Sequence, residues 1–395
     1  MKHLSKMKKI LLLLFISATF SITAQTIGGA FSFTISGSTI PVGMTAALTR
    51  AGQRWTNYLN ITVPVKINII LINFSAAPFS GLTLGNGRQN FSNAPVSNYL
   101  YPTALANQIA GTELNPGEAD MDIYINLATA MHYGTGKPNN SHEDFMTLIM
   151  HEMGHGLGFT STGYVNSNNE GSFGNVPASA LAPLTTTFPW RGQDGAPTIY
   201  DKFIIKQSHN HLIGLQPNNT VALGDSIKNN ANYFDGPSFA NSSNGGNPVK
   251  LSGGTGSFVL GVDLLHLNDN ICNSIMSYCW GMGDTVRKPA NWELGILKEI
   301  GWNTVPINVS ELSNENNTHI YPNPADNQIM VSAQHIKSVS LSTIQSQVIS
   351  EVKNTDFNTA PVTIDTQHLK SGIYFISIVY DNDEAIVTKK IIIQR

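Results

Sequence analysis

The chain has 395 residues, 41% of them hydrophobic and 12% charged, with a formal net charge of −3. No basic patch stands out, which argues against a nucleic-acid partner, and two cysteines are too few for a fold held by a disulfide framework. The length permits one large domain and one small one, each with its own buried core.

The opening Met1-Lys2-His3-Leu4-Ser5-Lys6-Met7-Lys8-Lys9 precedes an apolar run from Ile10 to Phe20. A basic start, a short apolar core and small polar residues near Ala24-Gln25 predict a secretory signal over 1–25, and the run is too short and wrongly flanked to span a membrane. Its removal takes four lysines and no acids, leaving 19 basic against 26 acidic residues and a net charge of −7. No later stretch is apolar for long enough to cross a bilayer.

Ala46, Ala47, Leu48, Ala51 and Trp55 predict a helix around 44–59. Residues 63–74 (VPVKINIILINF) and 121–127 (MDIYINL) are β-branched and alternating and predict strands, the second at a sheet edge where an extended peptide can pair. Phe145, Leu148, Ile149 and Leu157 give a helix its apolar face. Ser141 with Asp144 suggests a capping box at its start, and Gly158 a stop.

That helix carries His151-Glu152-Met153-Gly154-His155. Histidines four apart project from one face of a helix and can grip one ion. Glu152, beside them, is placed to act as a base on water at the ion rather than as a ligand. A catalytic zinc needs a third protein ligand. An HExxHxxGxxH extension would place it at 161, where Ser161 stands, so it comes from elsewhere. His209, His211 and His266 are the downstream histidines in reach, with His266 best placed, and Glu170, Glu293 and Glu299 are the carboxylate alternatives. Residues 160–250 are rich in Asn, Gly, Ser and Pro and read as a looped insertion, with a short strand or helix at 200–207. Export to an oxidising compartment favours a bridge between Cys272 and Cys279. Trp292, Ile296, Leu297 and Ile300 predict a helix over 289–302, stopped by Gly301. A polar linker at 306–317 leads to short β runs at 329–332, 339–341, 362–364, 373–379 and 385–393, a spacing that suggests a small β-sandwich over 318–395.

The segment Ser274-Ile275-Met276-Ser277-Tyr278, together with the HEMGHGLGF run, resembles the metzincin zinc peptidases. The third histidine, separated by a long insertion, is similar to the leishmanolysin-like branch. The resemblance implies an α+β catalytic domain over 26–305, a twisted mixed sheet with an active-site helix. It also implies Zn2+ held by His151, His155 and His266, Glu152 as general base, and Met276 as an apolar floor. By the same resemblance Tyr278 steadies the tetrahedral oxyanion. The chain departs from leishmanolysins in its low cysteine content, and no cysteine precedes the active helix to block the ion.

Ile320-Tyr321-Pro322-Asn323-Pro324-Ala325, then Leu369-Lys370-Ser371-Gly372-Ile373-Tyr374-Phe375-Ile376, then Thr388-Lys389-Lys390-Ile391-Ile392, resemble the C-terminal sorting domain of type IX secretion cargo. That resemblance implies the type IX secretion machinery as a partner and a secreted or outer-membrane-surface location. The expectation is a secreted zinc endopeptidase acting on protein or peptide substrates. A zinc amidase on peptidoglycan crosslinks, or an inactive surface adhesin on the same scaffold, are the alternatives.

Overall fold

The computed structural model describes residues 22–23, 29–37, 39–73, 79–85, 87–177, 195–228, 231–254, 256–268, 272, 274–277, 279–305, 318–332, 336–343, 348–353, 361–380 and 386–394. Most of the expected signal segment, the linker 306–317 and Tyr278 lie outside them. The chain divides into two units, Met1–Val305 and Pro306–Arg395.

A five-stranded sheet organises the larger unit. Its strands are β1 (Ile22–Thr23), β2 (Phe31–Ser36), β3 (Val65–Ile72), β4 (Gly81–Gly85) and β5 (Met121–Asn126), in the spatial order β1-β2-β3-β5-β4. The central strands β2, β3 and β5 run parallel, while β1 and β4 are antiparallel to their neighbours. Strict alternation in FSFTIS and VKINIILI buries Phe31, Phe33 and Ile35 on β2 and Val65, Ile67, Ile69 and Leu71 on β3. Helix α1 (Met44–Thr56) lies over β2, where Gly52 makes room for the Phe31 ring stem.

The expected edge strand at 121–127 is an interior strand. β5 pairs with β3 on one side and β4 on the other, and Met121, Ile123, Tyr124 and Ile125 are buried on both of its faces. Among the described residues β1 and β4 are the two edges of the sheet, and the Gly-Leu-Thr-Leu-Gly sequence of β4 carries two residues that weaken a strand and so gives little sequence signal. Helix α2 (Thr103–Ala110) leads towards β5.

Helix α3 (Phe145–Leu157) carries the histidine pair, and every residue in it except His155 is buried. Its N-cap is Asp144, not Ser141. The Asp144 carboxylate accepts from the Thr147 main-chain N–H at 2.9 Å, while Ser141 Oγ donates to Asn139 Oδ1. Gly158 ends the helix at φ 139°, and the Trp302 indole N–H donates to the Leu157 carbonyl in the last turn at 2.6 Å. The Asp144 carboxylate is also gripped from both oxygens by Arg287, at 2.8 Å from Nε and 2.6 Å from Nη2. Arg287 donates further to the Thr135 and Gly136 carbonyls, so one guanidinium ties the head of α3 to the loop at 135–136.

After the helix, the described residues between 160 and 250 form short elements. The three-stranded antiparallel sheet comprises β6 (Ile204–Lys206), β7 (Asn232–Phe234) and β8 (Val249–Lys250), with α4 (Val221–Lys228) between β6 and β7 in the chain and the single turn α5 (Ala240–Ser243) between β7 and β8. The element anticipated at 200–207 is a 3₁₀ turn, Asp201–Phe203, running into β6. Helix α6 (Asn291–Ile300) closes the unit and stops at Gly301 with φ 123°.

The smaller unit holds two antiparallel sheets. One orders His319–Tyr321, Gln328–Ser332 and Val362–Asp365, and the other Val348–Lys353, Ile336–Ser342, Gly372–Tyr380 and Ile386–Ile393. Alternate residues of both, among them Ile329, Val331, Ile364, Val339, Leu341, Ile376 and Ile378, make one core. The strands at 319–321 and 348–353 escape the sequence reading because the first is short and runs into a proline and the second is half charged or polar.

Both Arg287 and Asp144 are buried, so removing one strands the other. Arg287→Ala is expected to lower the unfolding free energy by roughly 3–5 kcal/mol. Urea unfolding followed by tryptophan fluorescence measures it.

Candidate metal centre

The i, i+4 spacing on α3 sets His151 and His155 side by side, with ring centroids 4.6 Å apart. His266 arrives from a turn more than a hundred residues later. Leu264, two residues before it, is held at φ 71°, a conformation costly for a leucine and fixed here by complete burial. The His266 carbonyl accepts from Ser252 N–H at 2.8 Å, and Leu267 N–H donates to Met276 at 3.0 Å, so the segment is stitched between β8 and the turn at 274–277.

The three Nε2 atoms stand 3.0, 3.1 and 3.2 Å from one another. Each Nδ1 faces a main-chain carbonyl: Ile275 at 2.6 Å for His151, Phe159 at 2.6 Å for His155, Val262 at 3.1 Å for His266. A carbonyl only accepts, so each ring carries its proton on Nδ1 and leaves a lone pair on Nε2. The Nε2 contacts are therefore not hydrogen bonds; they are three lone pairs converging on one point, a repulsive arrangement that a cation relieves. Burial, with the neighbouring histidines, pushes His151 down to about 3 and His266 well below its ordinary value, and burial pushes His155 down to about 4. All three are neutral donors near pH 7. Zinc–nitrogen bonds of about 2.0–2.1 Å at tetrahedral angles separate nitrogens by about 3.3 Å, so the donor set and its spacing fit such an ion. Among the described residues this is the one cluster of three or more His, Cys, Asp or Glu whose donor atoms lie this close together.

Met276 is fully buried beneath α3, and a Cβ at Gly154 would collide with its sulfur. Glycine inside a helix costs about 1 kcal/mol, and here it lets the thioether lie against the ligand-bearing turn of α3. The turn holding Met276 is clamped by Glu293 of α6. That buried carboxylate accepts from Ser274 Oγ at 2.5 Å, Met276 N–H at 2.6 Å and Ala290 N–H at 2.6 Å. Burial raises the Glu293 pKa against the pull of these donors. Cys272 and Cys279 are joined by a disulfide that brackets the same turn, and the Trp280 ring sits 5.5 Å from that of His151.

The other ligand candidates lie elsewhere. Glu293 is occupied as above, Glu299 accepts from Phe239 N–H at 2.7 Å, and Glu170 accepts from Asn166 Nδ2 at 2.8 Å. His209 and His211 are exposed, the first in a turn at φ 61° and the second facing the Lys202 carbonyl. Ser161 is buried with its Oγ accepting from Gly163 N–H.

Glu152 lies beside the triad against β4. Its Oε2 accepts from Thr83 Oγ1 at 2.7 Å, and Thr83 Oγ1 also lies 2.8 Å from the Glu152 main-chain carbonyl. Burial pushes the carboxyl up to about 7, while Thr83, through its hydroxyl and its main-chain N–H, pulls the other way. A cation at the triad favours the ionised form further. Sequence reading had no means of finding Thr83, which meets the site through a non-local contact, and it offered Glu293 as a possible ligand rather than as the clamp of the 274–277 turn.

Residues 319–394 match the family model of the secretion system C-terminal sorting domain. A search of curated proteins finds no match to the chain. The chain is thus an exported protein that engages the type IX secretion machinery and reaches the cell surface or the medium. Among the described residues no helix is long and apolar enough to cross a membrane.

His151 titrates near its ordinary 6.5 when unfolded and at about 3 when folded. As pH falls the unfolded chain takes up this proton first, so the contribution of His151 is present above pH 6.5 and is lost below it. Metal-free His151→Gln, which cannot titrate, is expected to lose less stability than the metal-free parent between about pH 6.5 and 4.5. Urea unfolding at a series of pH values measures the difference.

Proposed function

We propose that the larger unit is a secreted zinc-dependent endopeptidase of metzincin-like type. The observation that carries this reading is the convergence of three Nδ1-protonated imidazoles beside a buried glutamate. The ligands would be His151, His155 and His266. Zinc bound there supplies Lewis-acid polarisation of a carbonyl and a water acidified towards neutral pH.

The chain supplies the rest. Glu152 takes a proton from the attacking water and returns it to the departing amine. Thr83 engages Oε2, which leaves Oε1, lying over Gly81, to hold that proton. Substrate lies extended along the β4 edge of the sheet, where main-chain groups outside the pairing with β5 can accept another strand. The buried walls of α3 and the 274–277 turn keep the histidines from rotating. Tyr278, outside the described residues, remains the proposed oxyanion donor on resemblance alone. The sorting domain accounts for delivery and takes no part in the chemistry.

Glu152→Gln is expected to bind one zinc per chain while losing about 10²–10⁴-fold in cleavage rate. His266→Ala is expected to lose the metal. Metal analysis of each purified variant, with cleavage of casein and of crosslinked peptidoglycan in parallel, tests both. Undiminished casein cleavage by Glu152→Gln would remove the base, and turnover of peptidoglycan alone would replace the endopeptidase by an amidase.

A further inference from the structure

Residues 81 and 83 project from the same face of β4, as the period of a strand requires, and both meet one carboxylate. A Cβ at Gly81 would stand 2.6 Å from Glu152 Oε1, 2.9 Å from its Cγ and 3.0 Å from its Cδ. Thr83 Oγ1 lies 2.7 Å from Oε2. Glu152 thus rests with one oxygen in the space that the missing Gly81 side chain leaves and the other on the Thr83 hydroxyl. Without the hydroxyl, Oε2 loses the side-chain donor that the described residues give it, in a buried place where a lost hydrogen bond to a carboxylate is costly. Without the glycine, the flexible end of Glu152 must shift, because β4 is fixed by its pairing with β5.

From this we infer that Gly81 and Thr83 are a seat for the Glu152 carboxyl, Gly81 giving it room and Thr83 giving it direction. Both are positioning residues, acting on the reaction only through Glu152. The seat is built into the edge strand itself, so the main chain that would align a substrate also holds the group that moves its proton. This inference rests on the endopeptidase reading for its kinetic consequence, and on geometry alone for the state of the carboxyl.

Two substitutions at one position separate positioning from packing. Valine keeps the branched shape of threonine and removes the hydroxyl; serine keeps the hydroxyl and removes a methyl. If Thr83 orients the base, Thr83→Val in the zinc-loaded full-length protein loses roughly 10- to 100-fold in kcat on a casein peptide, with KM changed by no more than about twofold. Zinc content stays at the parental value, and Thr83→Ser recovers most of the loss. If Thr83 only packs, the order reverses, with valine near parental and serine impaired. Gly81→Ala is expected to fold and bind zinc but to lose kcat, since its methyl displaces Oε1.

The second readout needs no turnover. In metal-free protein, the carboxyl band that vanishes from the infrared spectrum in Glu152→Gln is expected to shift in Thr83→Val and Gly81→Ala and to hold its place in Thr83→Ser. A valine variant with parental kcat and an unshifted band would overturn the seat. A parent that cleaves no peptide at all would overturn the endopeptidase reading instead, and the band would then decide the seat by itself.

Discussion

Each of His151, His155 and His266 gives its Nδ1 proton to a main-chain carbonyl, and the larger unit is arranged so that those three carbonyls are where they must be. The Phe159 carbonyl turns back towards His155 because Gly158, at φ 139°, reverses the chain just after α3. The Ile275 carbonyl is set by the turn that Glu293 clamps from α6. The Val262 carbonyl belongs to the turn that Leu264 completes at φ 71°. Three distant pieces of backbone therefore decide one point in space. An imidazole with its Nδ1 so occupied can neither flip nor change tautomer without losing a buried hydrogen bond, which is how a flexible side chain becomes a rigid donor.

α3 could not serve this purpose on its own. It contains two internal glycines, at 154 and 156, and both lower its intrinsic helicity. Tertiary contacts compensate: Met276 lies under Gly154, Met121 under Gly156, and Arg287 fixes the cap at Asp144. The close approach that the glycines permit is also what lets Met276 and the 274–277 turn reach the level of the histidines.

Local pattern made part of this legible in the sequence. The i, i+4 histidines, the stop at Gly158 and the apolar face of α3 all lie within one short window, and His266 could be singled out through its neighbour, the Ser-Ile-Met-Ser-Tyr segment. Contacts set by register were not legible. Thr83 reaches Glu152 across 69 residues and Arg287 reaches Asp144 across 143, and neither carries a local signature. The misplacement of the sheet edge has a specific cause. Met-Asp-Ile-Tyr-Ile-Asn alternates well enough to suggest one wet face, yet Tyr124 and Asn126 are buried along with the isoleucines, as in a strand covered on both sides. The true edge, Gly-Leu-Thr-Leu-Gly, looks like a loop until its pairing with β5 is known.

The Nδ1 atoms of the three imidazoles rest on the uncharged carbonyls of Phe159, Ile275 and Val262. These ligands and supports sum to zero, so a dication placed among them would keep its charge at the ligands themselves, with Glu152 the acid beside it. Electrophilic pull of that size falls on whatever oxygen reaches the side the histidines leave uncovered. On the reading proposed above, a cage so constituted would serve a Lewis acid rather than a structural pin.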